Sequence, residues 1–119
     1  KHYINYKVDQ IMLTFGDEEI LNYLMPDQVY LIKPAKFNQP VFDFIIWNGT
    51  TMNKCLYVFQ ITINEKHTGS DKAFFTEEKY KFLRDLKDVQ VRFIWITNKP
   101  DFRSKFKGRG EIGYINIMF

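Results

Sequence analysis

The sequence has one cysteine, Cys55, in 119 residues. A single thiol cannot form a disulfide within the chain, and it cannot supply the several sulfur ligands of a structural zinc site. A disulfide framework and a cysteine-based zinc site are therefore excluded. Cys55 itself is expected to pack as a small apolar side chain at the start of a strand.

Long apolar runs and several nucleotide- and nucleic-acid-binding motifs are missing too. No segment approaches the run of about 18 apolar residues that spans a membrane, and no signal-peptide pattern is visible. No GxxxxGK[ST] motif occurs, so nucleotide hydrolysis at a P-loop is not expected. Helix-turn-helix, RNP and zinc-finger signatures are also absent. The first residue is Lys1 instead of methionine, and we expect the chain to be a piece of a longer protein.

Apolar and aromatic residues, in contrast, are abundant. They make up 45% and 18% of the chain, with 12 Phe and 7 Tyr, which predicts a folded protein with an aromatic core. A chain of 119 residues is long enough for one domain with a real core and too short for two ordinary ones. The net charge of +3 allows an anionic partner without requiring one.

The apolar periodicity predicts both helices and strands. Helices are predicted over 18–25 and 76–88, and strands over 29–33, 41–47, 55–64, 90–97 and 114–119. Residues 1–13 fit either a short helix or a strand, and 65–72 are predicted to form a loop. A helical crossover between two strands of one sheet is right-handed, so strand 90–97 is expected to lie parallel to strand 55–64. The expected fold is α/β, a mixed sheet flanked by helices with an αβββαβ core, in a single domain over 1–119.

The stretch from Val41 to Asn64 has polar side chains at the ends of its two predicted strands. Side chains on a strand alternate between the two faces of the sheet. One face of the second strand carries Leu56, Val58, Gln60, Thr62 and Asn64, and the other carries Tyr57, Phe59, Ile61 and Ile63. The second face is apolar throughout, whereas the first becomes polar only at its C-terminal end. Because α/β proteins often place their sites at such strand ends, we predict that Asp43, Gln60 and Thr62 form the centre of a functional site.

Three segments resemble a known family. They read LIKPAKFNQPVFDFIIW, LYVFQITINEKH and VRFIWITNKPDF, and they are similar to the C-terminal nuclease-like domain of Crinkler and RHS-type effector proteins. Those proteins commonly show a proline-containing approach to an aspartate, and then a glutamine-x-threonine element followed shortly by histidine. The order of elements also resembles the restriction-endonuclease-like PD-(D/E)XK nuclease fold. The resemblance extends over roughly Val29 to Phe102.

The resemblance implies a metal-dependent nuclease. In that fold an acid on the second core strand and an acid or amide on the third, here Asp43 and Gln60, hold magnesium or manganese among oxygen ligands. The metal activates a water molecule and stabilises charge on the scissile phosphate. Thr62 occupies the position of the family's lysine, and this is a departure from the pattern because its side chain carries no charge.

Other residues are candidates to complete such a site. Lys66 lies in the following loop, where a lysine can reach back into the site, and His67 can act as a base or as a hydrogen-bond donor near neutral pH. Glu18 or Glu19 on the first helix can add an acid, and we select Glu19 as a third metal ligand. The geometry of a helix allows at most one of these two glutamates to face the sheet.

Each candidate also has a structural role open to it. Asp43 could accept hydrogen bonds from backbone amides of the proline-containing loop, and Gln60 and Thr62 could form a buried polar ladder. Lys66 and His67 could simply be solvated loop residues. The two glutamates of the first helix could serve the helix dipole.

The basic segment from Asn98 to Gly113 is the second candidate feature. Its proposed nucleic-acid contacts are Lys99, Arg103, Lys105, Lys107 and Arg109, interleaved with Phe102 and Phe106. These cations can neutralise phosphates, and exposed aromatic rings can stack on unpaired bases. In the alternative arrangement the loop is solvated and its phenylalanines fold back onto the core.

Two functions follow from these observations. The first is a metal-dependent nuclease, or a degenerate one, that acts on nucleic acid or binds it. The second is a non-catalytic module on the same fold that binds a protein or a nucleic acid, because fold alone does not decide function. The resemblance further implies an intracellular effector that acts inside a host cell, often in the nucleus.

Overall fold

A six-stranded sheet forms the centre of the computed structural model, which describes residues 7–35, 41–50, 52–63, 69–107 and 111–117. Its strands are β1 (Gln10–Thr14), β2 (Val29–Pro34), β3 (Phe44–Asn48), β4 (Lys54–Thr62), β5 (Val89–Thr97) and β6 (Ile112–Asn116). They lie side by side in sequence order, and β3 alone runs antiparallel to its neighbours. The mixed α/β fold and the parallel pairing of β4 with β5 are therefore confirmed. The N-terminal segment that fitted either a helix or a strand contains β1.

Within these residues, four short helical segments accompany the sheet. They are a 3-10 helix (Asp17–Tyr23), α1 (Ser70–Thr76), a 3-10 turn (Glu78–Tyr80) and α2 (Lys81–Arg84). The prediction of one helix over 76–88 was wrong, and so was the prediction that 65–72 is entirely a loop. The first turn of α1 starts at Ser70, and the backbone of Glu77 is extended at φ −79° and ψ 140°, which separates α1 from the following turn.

The break after α1 has a physical cause in the buried aromatic residues. Phe74 and Phe75 from α1 and Tyr80 and Leu83 from the following segments all have exposed fractions of 6% or less. The extended residue Glu77 lets the chain turn so that both pairs reach the same core. Apolar periodicity does not register such a change of direction, because it counts residues as if the helix were continuous.

The described helical segments share one core with one face of the sheet. Their contribution comes from Ile20, Phe74, Tyr80 and Leu83, and the sheet contributes Ile45, Leu56, Val58, Phe93 and Trp95. Each parallel connection, from β1 to β2, from β4 to β5 and from β5 to β6, steps in the same direction across the sheet. Right-handed connections that step in one direction pass over the same face, which explains the single core.

The other face of the sheet carries apolar side chains of β3 and β4 beside polar ones such as Arg92 and Lys33. Phe44 and Phe59 stack there with ring centres 4.6 Å apart, one pair along from Ile46 and Tyr57. Towards the β1 edge, Ile11 and Leu13 are 66% and 55% exposed. The face that is apolar throughout in the sequence pattern is therefore the face away from the helices, and the face with the polar end faces the core.

Candidate functional site

The pairing of β3 with β4 brings Asp43 and Gln60 together. Phe44 pairs with Phe59, and the backbone N–H of Asp43 donates to the carbonyl of Phe59 at 2.7 Å, which continues the antiparallel ladder by one residue. Asp43 Oδ2 accepts hydrogen bonds from Gln60 Nε2 at 3.0 Å and from the backbone N–H of Ile61 at 2.7 Å. The two residues that the sequence singled out on separate strands thus meet at one point.

The side chain of Gln60 is only 2% exposed, and half of its amide group has no partner among the residues that the structure describes. Its Nε2 donates to Asp43 and also to the carbonyl of Ile61 at 3.2 Å. Its Oε1 is buried and accepts no hydrogen bond from the described part of the chain. A buried acceptor without a partner costs about 1–3 kcal/mol. A hydrogen-bond donor or a cation beside Gln60 Oε1 would therefore stabilise this position.

Thr62 continues the same buried face two residues beyond Gln60 and is 3% exposed. Its register partner on β5 is Thr97, which is 2% exposed and accepts a hydrogen bond from the backbone N–H of Lys99 at 3.0 Å. Two neighbouring strands thus end in a pair of neutral hydroxyl groups. The position that the resemblance gives to a lysine is therefore buried and uncharged.

Asp71 is a site residue that sequence reasoning missed. It lies in the first turn of α1, it is 0% exposed, and its Oδ2 accepts a hydrogen bond from Trp95 Nε1 at 3.2 Å. Trp95 is the register partner of Gln60, so Asp71 lies above the sheet face that carries the Asp43–Gln60 pair. Fully buried aspartates are rare. Gly69 followed by Ser70, Asp71 and an apolar run is a helix-start pattern that would have identified Asp71 if 65–72 had not been assigned to a loop.

The other predicted ligands and catalytic residues have different locations. Glu19 Oε2 accepts hydrogen bonds from the backbone N–H groups of Phe15 at 2.7 Å and Gly16 at 3.3 Å, so this carboxylate caps the 3-10 helix. Glu18, on the same helix, is exposed. Lys66 and His67 lie outside the described residues. Within the residues that the structure describes, no group of three or more His, Cys, Asp or Glu side chains is arranged to hold a metal ion.

Along the basic segment, aromatic side chains that pack on the core alternate with cationic side chains. Phe102 packs against Trp95 and Tyr114, with ring centres 5.3 Å and 6.1 Å away, and Phe106 stacks on Phe75 at 5.9 Å. The phenylalanines therefore fold back onto the core, which was the alternative arrangement. In this structure the two rings cannot stack on bases, because they already pack against other aromatic side chains.

The cations that lie between and directly after these rings face outwards. Arg103, Lys105 and Lys107 are exposed, Lys99 is half-buried, and Arg109 lies outside the described residues. The guanidinium carbon of Arg103 lies 4.8 Å from the centre of the Tyr114 ring, and its Nη1 donates to the carbonyl of Phe102 at 2.6 Å. This outward row of Arg103, Lys105 and Lys107 is called the basic strap below.

Cys55 is buried at the start of β4, as expected. Burial raises the pKa of the Cys55 thiol, and this effect outweighs a hydrogen bond with Tyr57 and the charge of Arg92, which both lower that pKa. A thiol with a raised pKa stays protonated near neutral pH and is a poor nucleophile. Cys55 therefore has the environment of a buried structural thiol.

Comparison with protein-family models, with curated proteins and with solved structures finds no match for this chain. The ends of β3, β4 and β5 therefore carry the features from which a function can be inferred. Among the described residues, no helix is long and apolar enough to cross a membrane.

Proposed function

We propose that the domain is a nuclease-like domain of the PD-(D/E)XK type, which binds nucleic acid and holds one divalent cation with Asp43 and Gln60. The observation that carries the proposal is the buried, unpartnered Oε1 of Gln60, in an amide group that is already hydrogen-bonded to the Asp43 carboxylate. An acid and an amide on adjacent strands are also what the sequence resemblance implies for such a site.

The donor set fits magnesium or manganese. Carboxylate and amide oxygens are hard ligands of the kind that these ions prefer. In the arrangement described above, Gln60 turns its Nε2 towards Asp43 Oδ2 and the Ile61 carbonyl, because both are acceptors. A cation beside Asp43 would favour the reversed amide, with Oε1 towards the ion. The bound ion would supply Lewis acidity and charge neutralisation at a phosphate.

The residues of the site itself give the Asp43 carboxylate a defined direction but supply no positive charge. Asp43 is fixed by three hydrogen bonds, one from its own N–H and two to its carboxylate, so the carboxylate has a defined direction. Thr62 provides no cation for the attacking water or the phosphate. Proton transfer therefore needs a group other than Thr62, and His67 and Lys66, which follow Thr62 in the sequence, are the predicted residues for it.

The basic strap supports the choice of nucleic acid as partner. The strap lies in the segment that follows β5, and at the start of that segment the backbone N–H of Lys99 donates to Thr97, the register partner of Thr62. The proposed cation would contact one phosphate at the strand end. The exposed cations of the strap would contact neighbouring phosphates of the same nucleic-acid strand. Because Phe102 and Phe106 pack inwards, we expect recognition through backbone charge, without base stacking by these rings.

A specific observation also favours the second function, a non-catalytic interaction module. Thr62 is neutral and 3% exposed where the family's chemistry requires a lysine. A domain with such a site could keep its affinity for nucleic acid or a protein after losing hydrolysis. The two functions differ in one measurable property, which is cleavage that depends on Asp43.

The test is cleavage of plasmid and single-stranded substrates with magnesium or manganese by the wild-type chain and by Asp43→Asn. Asparagine keeps an acceptor oxygen for Gln60 and Ile61, so the fold is expected to persist, and circular dichroism checks this. Asp101→Asn, at an exposed position, is the matched control. We expect cleavage by the wild type and the control, and none by Asp43→Asn. Wild-type binding of nucleic acid without cleavage would support the interaction module, and absence of both binding and cleavage would reject the nucleic-acid function.

A further inference from the structure

The edge strand β1 exposes apolar side chains. Ile11 and Leu13 lie on the sheet face away from the helices and are 66% and 55% exposed, and Phe15, directly after the strand, is 81% exposed. Proteins commonly protect an edge strand with a charged residue or a proline. β1 reads QIMLT and contains neither. The strand therefore has the composition of one that pairs with a further strand.

The backbone of β1 also has hydrogen-bonding groups at this edge. The carbonyl of Thr14 accepts from the N–H of Ala35 at 2.7 Å, so the peptide groups of Thr14 face β2. Backbone groups of successive residues in a strand point to alternate sides, so those of Met12 also face β2 and those of Ile11 and Leu13 face away from it. Among the described residues, no strand lies on that side of β1. Ile11 and Leu13 thus each offer a donor and an acceptor to an incoming strand.

We propose that β1 pairs with β1 of a second copy of this chain, in antiparallel orientation and centred on Met12. A twofold axis at Met12 places Ile11 of each copy opposite Leu13 of the other. Opposed antiparallel residues whose backbone groups face each other exchange both of their hydrogen bonds. A register shifted by one residue would instead oppose an outward-facing backbone to an inward-facing one. β1 and β6 are opposite edges of the sheet, so this pairing leaves the basic strap accessible and does not depend on the proposed function.

The charges beside β1 favour a second copy as the partner. Lys7 precedes the strand, Glu18 follows it, and both are exposed. Antiparallel pairing brings the start of one strand to the end of the other, so Lys7 of each copy lies towards Glu18 of the other copy. The β6 edge is less suitable, because Arg103 lies over the Tyr114 ring of β6 at 4.8 Å and two copies would bring these cations together. The β1 edge is thus complementary to itself in side chains, backbone and charge.

The first test is the molar mass in solution, measured by sedimentation over a range of concentrations for the wild type, Leu13→Lys and Ile115→Lys. A lysine at an exposed edge position opposes strand pairing, and circular dichroism checks that the fold persists. Ile115 lies on the same face of the other edge strand and is 37% exposed, so its substitution is the matched control. We expect the wild type and the control to change with concentration from the 14.4 kDa monomer to twice that mass, and Leu13→Lys to remain a monomer.

The second test examines the register through disulfide formation. Ile11→Cys and Leu13→Cys are mixed, oxidised and separated by electrophoresis without reductant; the native Cys55 is buried. Opposed residues of a hydrogen-bonded pair have Cα atoms about 5.5 Å apart, which a disulfide can span. Two Leu13→Cys chains would have their thiols two residues out of register, beyond the limit of about 7 Å between Cα atoms. We expect a linked dimer in the mixture and little in either variant alone.

The possible results decide whether β1 is an interface. A wild type that stays at 14.4 kDa at every concentration would reject the pairing. A Leu13→Lys variant that still doubles its mass would reject β1 as the interface, and dissociation of Ile115→Lys would then place the interface at β6. Linkage in Leu13→Cys alone as strong as in the mixture would reject the register centred on Met12. If Leu13→Lys does not fold, the cysteine mixture decides the question.

Discussion

Arg84 donates hydrogen bonds to the carbonyl of Phe74, at 3.1 Å, and to the carbonyl of Glu77. These two carbonyls lie at the end of α1, where the chain becomes extended at Glu77. The last carbonyls of a helix have no partner within the helix. The guanidinium group of Arg84 therefore supplies the donors that the break in the helical segment would otherwise leave missing.

Replacing Arg84 by methionine should destabilise the domain. The substitution keeps an apolar stem but removes both hydrogen bonds, and unsatisfied carbonyls in a partly buried position cost about 1–3 kcal/mol. Urea unfolding followed by circular dichroism measures the change. Lys81→Met, in the same helix α2 and exposed, removes the same charge and is expected to cost less than about 0.5 kcal/mol. Equal losses in the two variants would show that the carbonyl contacts do not stabilise the break.

The arrangement of the sheet was predictable because strand signals in this chain are strong. The β-branched and aromatic runs located β2 to β5 within a few residues, and the helical crossover predicted the parallel pairing of β4 with β5. The polar ends of two predicted strands were sufficient to put Asp43 and Gln60 in one candidate site. The helices were less predictable, because buried aromatics recur on both sides of the break at Glu77 and hide it. This error also concealed Asp71. In the basic segment from Asn98 to Gly113, sequence alone could not tell which of two alternating sets, the rings or the cations, faces the core.

Gly49 is predicted to tolerate no larger residue. A Cβ atom at this position would lie 2.4 Å from the carbonyl oxygen of Met25 and 2.9 Å from Trp47 Nε1. The indole donates a hydrogen bond to that same carbonyl, so neither neighbour can move without breaking it. We expect Gly49→Ala to lower the free energy of unfolding by about 1–3 kcal/mol, as overpacking commonly does.

The control for Gly49 is Gly16→Ala. A Cβ atom at Gly16 meets nothing within 4 Å, and the backbone there is extended at φ −136°. Thermal unfolding of both variants gives the comparison, and the indole N–H signal of Trp47 in a ¹⁵N spectrum reports on the indole contact. A Gly49→Ala variant as stable as Gly16→Ala would mean that the loop around Met25 moves aside easily.

The basic strap should determine the salt dependence of nucleic-acid binding, if the proposed function is correct. Each phosphate contact to a single strand contributes a slope of about 0.7 to the fall of log K with log salt, so Lys105→Ala with Lys107→Ala should reduce the slope by about 1.4. Fluorescence anisotropy of a labelled single strand between low and moderate salt measures it. The double variant Lys79→Ala with Lys81→Ala removes two exposed cations from the helical segments and should leave the slope unchanged. An unchanged slope in the strap variant would remove the strap from the binding surface.

Cys55 should make the stability of the domain decrease at alkaline pH. Burial raises the pKa of this thiol in the folded state, so the folded chain holds the thiol proton more tightly than the unfolded chain does. Above about pH 8.5 the unfolded state loses that proton first, which favours unfolding, whereas below this pH the thiol contributes no pH dependence. Stability is therefore lost as the pH rises towards the raised pKa of the folded thiol.

The measurement is the free energy of unfolding between pH 7 and pH 10 for the wild type and Cys55→Ala. The alanine variant loses some packing at every pH, but its curve should decline less steeply above about pH 8.5 because it has no thiol to ionise. Parallel curves over the whole range would show that the Cys55 thiol has the same pKa in both states.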